Sequence, residues 1–184
     1  MGSKLAAAYR RIWSVRRSVQ AAFSMPKGKA VRTRKQVAAL PLRLDADGRL
    51  EVLLVTSRET KRWIVPKGWP MKGRKDHRAA AVEAWEEAGM LGRMLRRSVG
   101  SYSYWKRGDT HFELCRVAVY AMAAEKQAAS WKEKGQREVC WFGAFEAADR
   151  VLEPELSTII VNLPSDEEVM TFLRKSKRWT AHSG

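Results

Sequence analysis

Three carboxylates, Glu83, Glu86 and Glu87, lie close together in the stretch Gly68–Met90, GWPMKGRKDHRAAAVEAWEEAGM. Side chains three and four residues apart share a helix face, so on a helix Glu83 sits over both Glu86 and Glu87. Like charges crowded in this way repel each other, and a hard divalent cation with oxygen ligands is their natural compensation. A solvated helix face can also carry three glutamates. Here, however, Ala81, Ala84, Trp85 and Ala88 form an apolar set at helical spacing, so the helix is expected to dock and to hold its carboxylates toward something. Asp76 is the expected N-cap and Gly89 the expected glycine just past the C-terminus. Ahead of the helix, Arg62–Gly68 reads as a short strand running into a loop.

This arrangement resembles the Nudix box, G-x5-E-x7-R-E-U-x-E-E-x-G-U, where U is bulky and apolar. Gly68 is the first glycine, Glu83 the first helical glutamate, Glu86 and Glu87 the paired glutamates, Gly89 the last glycine and Met90 the last apolar residue. Ala84 fills the inner apolar position with a small side chain. Two positions depart: Arg74 stands where the family has Glu, and Val82 where it has Arg. Those two positions commonly form an ion pair that braces helix and loop, so losing both together is expected to be less damaging than losing one. The resemblance implies hydrolysis of a diphosphate bond with Mg2+ or Mn2+ held by Glu83, Glu86, Glu87 and the Gly68 carbonyl. It leaves the general base open between Glu83 and Glu87 of the box and Glu133 and Glu138 further on.

The similarity continues outside the box. Val52–Gly68, VLLVTSRETKRWIVPKG, is similar to the diphosphoinositol polyphosphate phosphohydrolase branch, which acts on inositol pyrophosphates and diadenosine polyphosphates. Trp131–Glu138 with Trp141 and Phe142, then Ala147, Ala148 and Val151, resemble the same branch, so the likeness runs from about Val31 to Pro164. Lys67 and Trp69 replace extra glycines that the branch has after Pro66. By this resemblance Arg32, Arg34, Lys35, Ser57, Arg58, Lys67 and Arg137 are the substrate-phosphate contacts. Trp63 and Trp69 flank the loop as candidate stacking surfaces, with Trp63 also reading as core. His77 and His111 stand alone.

The elements that must position these groups follow from the same assignment. The expected fold is an α/β/α sandwich around a central mixed β-sheet. Its strands are expected at Gln36–Leu44, Leu50–Ser57, Trp63–Val65, Ser98–Lys106, Phe112–Ala121 and Val139–Phe142, with Asp45–Gly48 as a hairpin turn. The box helix lies on one side, with Phe145–Leu152 and a last helix on the other. Ser165 to Glu168 has capping-box spacing, so that helix is expected over about Asp166–Lys175 with Val169, Phe172 and Leu173 toward the core.

The chain has 184 residues, 35 Lys and Arg against 20 Asp and Glu, and a formal net charge of +15. Residues 1–35 hold ten of the basic residues and no acid, which leaves 25 basic against 20 acidic residues for 36–184. Residues 1–30 are expected to form a basic amphipathic helical arm and linker, 31–176 the domain, and 177–184 a tail. In the arm Leu5, Tyr9, Ile12, Val15, Val19 and Phe23 recur at helical spacing. That stripe suits packing on the domain or a homodimer contact. An anionic membrane surface, nucleic acid and a polyanionic substrate remain open as other partners. No apolar run approaches the ~20 residues of a membrane span, and arginines interrupt any leader-like region. Cys115 and Cys140 fall in expected strands and read as free thiols of a reducing cytoplasm. Three functions stay open: a hydrolase of nucleoside or inositol polyphosphates, a weakened module that binds a phosphorylated ligand or RNA, and an RNA 5′-pyrophosphohydrolase.

Overall fold

The computed structural model describes residues 33–108 and 111–181, with side chains as far as Ser176. The arm and Arg32 lie outside the described residues. At the centre is an eight-stranded mixed sheet. Strand β1 (Arg34–Leu44) turns through Asp45–Arg49 into β2 (Leu50–Thr56), and two short strands follow, β3 (Trp63–Ile64) and β4 (Lys67–Gly68). Helix α1 (Asp76–Ala88) leads into β5 (Met90–Met94), β6 (Gly100–Arg107) and the long β7 (Phe112–Gln127). Strand β8 (Val139–Gly143), α2 (Ala144–Arg150), α3 (Pro154–Asn162), a 3-10 turn (Leu163–Ser165) and α4 (Glu167–Ala181) complete it.

The sheet runs β3-β2-β1-β7-β5, with β4 on β1, β6 on β7 and β8 on β2. Strand β1 pairs parallel to β7 and antiparallel to β2 and β4. Being covered on both faces, it reads as a nearly continuous apolar run instead of an alternating one. Period-2 geometry still sorts its side chains. Ala38, Leu40 and Leu42 join Leu54, Val117, Val119 and residues of α2, α3 and α4 in one core. Val37 and Ala39 join Leu53, Val55, Met122 and the alanines of α1 in the other. These two cores are the two interfaces of the expected sandwich.

Several local expectations change. Asp76 is the first helical residue and Lys75 occupies the cap without a side-chain bond. Asp76 still suits the first turn, where its charge meets the helix dipole. Gly89 does end α1 in the left-handed region at φ 66°, and its N–H reaches the Ala84 and Trp85 carbonyls. The docked face consists of Ala79, Ala80, Ala84 and Ala88, while Trp85 is 40% exposed, so Trp85 belongs to the outer face. For the last helix the cap is Asp166 instead of Ser165: its Oδ1 accepts from the N–H of Glu168 and Val169, both at 3.1 Å. That helix also runs on to Ala181.

Strand β5 and helix α3 have no counterpart among the expected elements. Strand β5 follows the box with no turn residue after Gly89, and it bulges between Leu91 and Gly92 where it meets β7. A Cβ at Gly92 would stand 2.1 Å from the Ala123 carbonyl oxygen, so the bulge admits only glycine. Helix α3 opens with Pro154 at its first position.

Candidate active site

Strand β4 brings Gly68 against the carboxylates of α1. A Cβ there would stand 2.2 Å from Glu83 Oε1, so this position needs glycine for close approach rather than for backbone freedom. The Glu83 carboxylate is half-buried. Burial, then the charge of Glu86, pushes its pKa up.

The neighbours of the other two carboxylates come from the segment after β7, which is sewn to the end of α1. The N–H of Ala128 donates to the Gly89 carbonyl at 2.8 Å, and that of Glu133 to the Glu86 carbonyl at 3.1 Å. Gln127 Nε2 donates to the Ala88 carbonyl at 2.9 Å. Lys132 then reaches Glu86 at 2.7 Å. Arg137 reaches further in, with its side chain only 6% exposed: Nη2 lies 2.7 Å from Glu87 Oε1 and Nε 2.6 Å from Glu133 Oε2. Its Nη1 donates to the Thr56 carbonyl at 2.9 Å. The guanidinium thus ties α1, β2 and this segment together. In the family that bracing falls to a pair of box residues. Here Arg74 is exposed and Val82 half-buried, and Arg137 supplies a brace from elsewhere in the chain.

Glu87 is also the acceptor of the Lys67 N–H at 3.3 Å. Burial raises its pKa to about 7 and outweighs the lowering by Arg137 and Lys67. Burial pushes the Lys67 ammonium down, and Glu87 opposes that shift. Glu87 and Lys67 thus shift each other in opposite senses, each favouring the other's charged form.

Glu83, Glu86 and Glu87 offer oxygen donors only, which suits a hard divalent cation. Glu83 makes no ion pair or hydrogen bond among the described residues, so it fits a carboxylate awaiting a positive partner. Among the described residues no three acidic, histidine or cysteine side chains converge into a closed coordination sphere. The chemistry of the set fits a cation, while Glu86 and Glu87 are at present compensated by Lys132 and Arg137.

Ser57, Arg58, Lys67 and Arg137 line one cleft of about 590 Å³, together with Glu59, Thr60, Arg62, Ile64, Tyr104, Trp105, Lys106, Arg107 and Leu152. Lys67 and Arg137 are its link to Glu87. Arg58 approaches Glu133 at 3.8 Å, and Arg62 is fixed by Glu153 at 2.9 Å. Two other expected contacts sit outside the lining: Arg34 pairs with Glu113 at 2.9 Å, and Lys35 pairs with Asp76 at 2.5 Å. Arg62, Lys106 and Arg107 did not stand out in the sequence. Strand β6 carries two of them to the cleft, and alternation in a short polar strand is too weak a signal to aim side chains.

The tryptophans are also sorted. Trp63 packs edge-on against Phe142, ring centres 5.0 Å apart. Trp69 is covered by Arg34 at 4.1 Å and Lys106 at 4.8 Å. Trp105 is 57% exposed. Cys115 and Cys140 are free thiols. Among the described residues no helix is long and apolar enough to cross a membrane.

Comparison with known proteins bears on the family and the fold. The family model of the NUDIX domain matches residues 33–163. Nudix hydrolase 16, mitochondrial, of Arabidopsis thaliana is 29% identical over 118 residues, covering 61% of this chain and 64% of that protein's length. The crystal structure of a C. elegans Ap4A hydrolase superposes with a TM-score of 0.50 at 15% identity, covering 73% of this chain and 98% of that one. A Listeria monocytogenes structure described as a NUDIX hydrolase gives 0.53 at 14% identity, covering 71% and 92%. The two structures speak to fold alone. With the sandwich, the glycine-tight strand β4 and the carboxylate helix in place, the match over most of the chain makes this protein a member of the NUDIX domain family.

Proposed function

We propose that the chain is a divalent-metal-dependent pyrophosphohydrolase that cleaves a diphosphate bond in a nucleoside or inositol polyphosphate. The observation that carries this reading is the half-buried, uncompensated Glu83 pressed against Gly68 beside Glu86 and Glu87. Glu83, Glu86, Glu87 and the Gly68 carbonyl are the candidate holders of Mg2+ or Mn2+. When bound, such an ion neutralises phosphate oxygens and acidifies water. The chain's own residues do the rest. Arg58 and Lys67, with Ser57 beside them, bind the phosphate chain along the cleft. Arg137 orients Glu87 and, through the same guanidinium, Glu133. The general base is one of the four carboxylates Glu83, Glu87, Glu133 and Glu138. The C. elegans neighbour is described as an Ap4A hydrolase, a dinucleoside polyphosphate enzyme within the same proposed class. Free thiols at Cys115 and Cys140 suit a reducing compartment such as the cytoplasm.

A binding module is the second reading, favoured by one observation: Glu86 and Glu87 already carry Lys132 and Arg137 as partners. Turnover of diadenosine tetraphosphate, a diphosphoinositol phosphate and triphosphorylated RNA with Mg2+ decides between them. Hydrolysis of at least one, lowered ~100-fold or more by Glu86→Gln in line with loss of a strong electrostatic contribution, is the expected result. Binding without turnover on the whole panel makes the protein a binder.

A further inference from the structure

The cleft wall combines charge with an exposed aromatic surface. Arg58, Lys67 and Arg137 line it beside Glu87, Lys106 and Arg107 line it on β6, and Glu59 is its acidic member. On β6 it presents Trp105, whose side is 57% exposed to solvent. Leu152, 67% exposed, lines the same cleft. An exposed indole in a cleft wall leaves its π-face free to stack a flat ring. The other two tryptophans near the loop are already in use: Trp63 is packed on Phe142, and Trp69 lies between Arg34 and Lys106. Beside Trp105, Arg107 makes no ion pair among the described residues, and Tyr104 is held in place by its hydroxyl, which donates to Gln36 Oε1 at 2.7 Å.

An inositol polyphosphate carries phosphates on every side and has no aromatic face to place on such a wall. A nucleotide meets both features of the wall, with a phosphate chain for the cations and a π-face for the indole. We propose that Trp105 stacks the base of the substrate, so that the cleft selects nucleoside polyphosphates over base-free inositol polyphosphates. This rests on the reading of the cleft as the substrate site given above.

The test is equilibrium binding of a methylene-bridged ATP analogue and of inorganic tripolyphosphate, with Mg2+, to the full chain, Trp105→Ala and Trp105→Phe. Base stacking on an aromatic side chain predicts that Trp105→Ala weakens the ATP analogue about 5- to 100-fold, while Trp105→Phe stays within a few-fold. Tripolyphosphate affinity is expected to be the same in all three proteins. Trp105 is largely in solvent, so unchanged melting temperatures establish that the variants are folded. The proposal is overturned if the unaltered chain binds tripolyphosphate but not the analogue, if Trp105→Ala leaves the analogue unaffected, or if it weakens both ligands alike. Turnover is read separately on the unaltered chain. Selective loss of analogue binding in a protein that hydrolyses nothing retains the stacking and removes the hydrolase reading. Turnover of a diphosphoinositol phosphate with no base-dependent binding does the reverse.

Discussion

Glu87 is the residue where burial, charge and chemistry meet. Its pKa near 7 stands above the ordinary 4.5 because desolvation outweighs the attraction of Arg137. A carboxyl raised on folding contributes stability that is fully present below its unfolded pKa and lost as pH rises through the folded one. Metal-free protein should therefore lose stability between about pH 4.5 and 7 on this account, and Glu87→Gln should flatten that step in melting temperature. Mg2+ must be bound by the charged form, so its stabilising shift should be larger at pH 8 than at pH 5.5. Equal shifts at the two pH values would remove the carboxylates from the metal assignment. Gly68 offers a second test at the same scale. A methyl group there meets the mobile end of Glu83, so Gly68→Ala should leave the fold intact and displace the carboxylate. Turnover is expected to fall about 100-fold, the cost of a misplacement near 1 Å, with melting temperature little changed. A variant with full turnover would mean that the approach of β4 to Glu83 has no functional consequence.

At the scale of elements, the segment between β7 and β8 completes a site that the box helix only begins. It supplies Lys132, Glu133 and Arg137, and backbone bonds to Glu86 and Gly89 hold it in register with α1. Removing one partner of a buried ion pair strands the other charge and typically costs about 3–5 kcal/mol. Arg137→Gln should show that order of loss in urea unfolding at pH 8. At pH 5.5 the loss should be smaller, since Glu87 there takes up a proton and no longer needs the guanidinium. An equal loss at both pH values would make Arg137 a packing residue without an electrostatic role. The family pair is absent at Arg74 and Val82, so the brace depends on this long-range contact.

Across the whole molecule, the positive charge has two locations with different consequences. Residues 1–35 hold ten basic residues and no acid, whereas the cleft carries its own exposed Arg58 and Arg107. In the protein lacking residues 1–30 these cleft cations are expected to steer a polyanion. That truncated protein should keep kcat/KM on a small polyphosphate within a few-fold and retain its decline with added salt, which near 1 M shortens the Debye length to ~3 Å. Loss of the salt dependence on truncation would transfer the steering to the arm.

What the sequence determined by itself were features written in local spacing. Glu83, Glu86 and Glu87 share a face because helical periodicity is fixed by the backbone. Gly89 ends the helix because a left-handed residue favours glycine, and Asp45–Gly48 turns β1 into β2 for a related reason. The sandwich itself was legible only through the resemblance that the box and its flanking segments carry. Tertiary structure alone decided the rest. Trp85 faces outward because α1 meets the sheet through alanines, whose small side chains allow close approach. Gln127 to Arg137 reaches the carboxylates only because long β7 ends beside Gly89. Trp105, indistinguishable in sequence from seven other tryptophans, is exposed on the cleft because β6 pairs with β7 in one register. Which aromatic is left uncovered depends on contacts between residues far apart in the chain, and no local pattern encodes those.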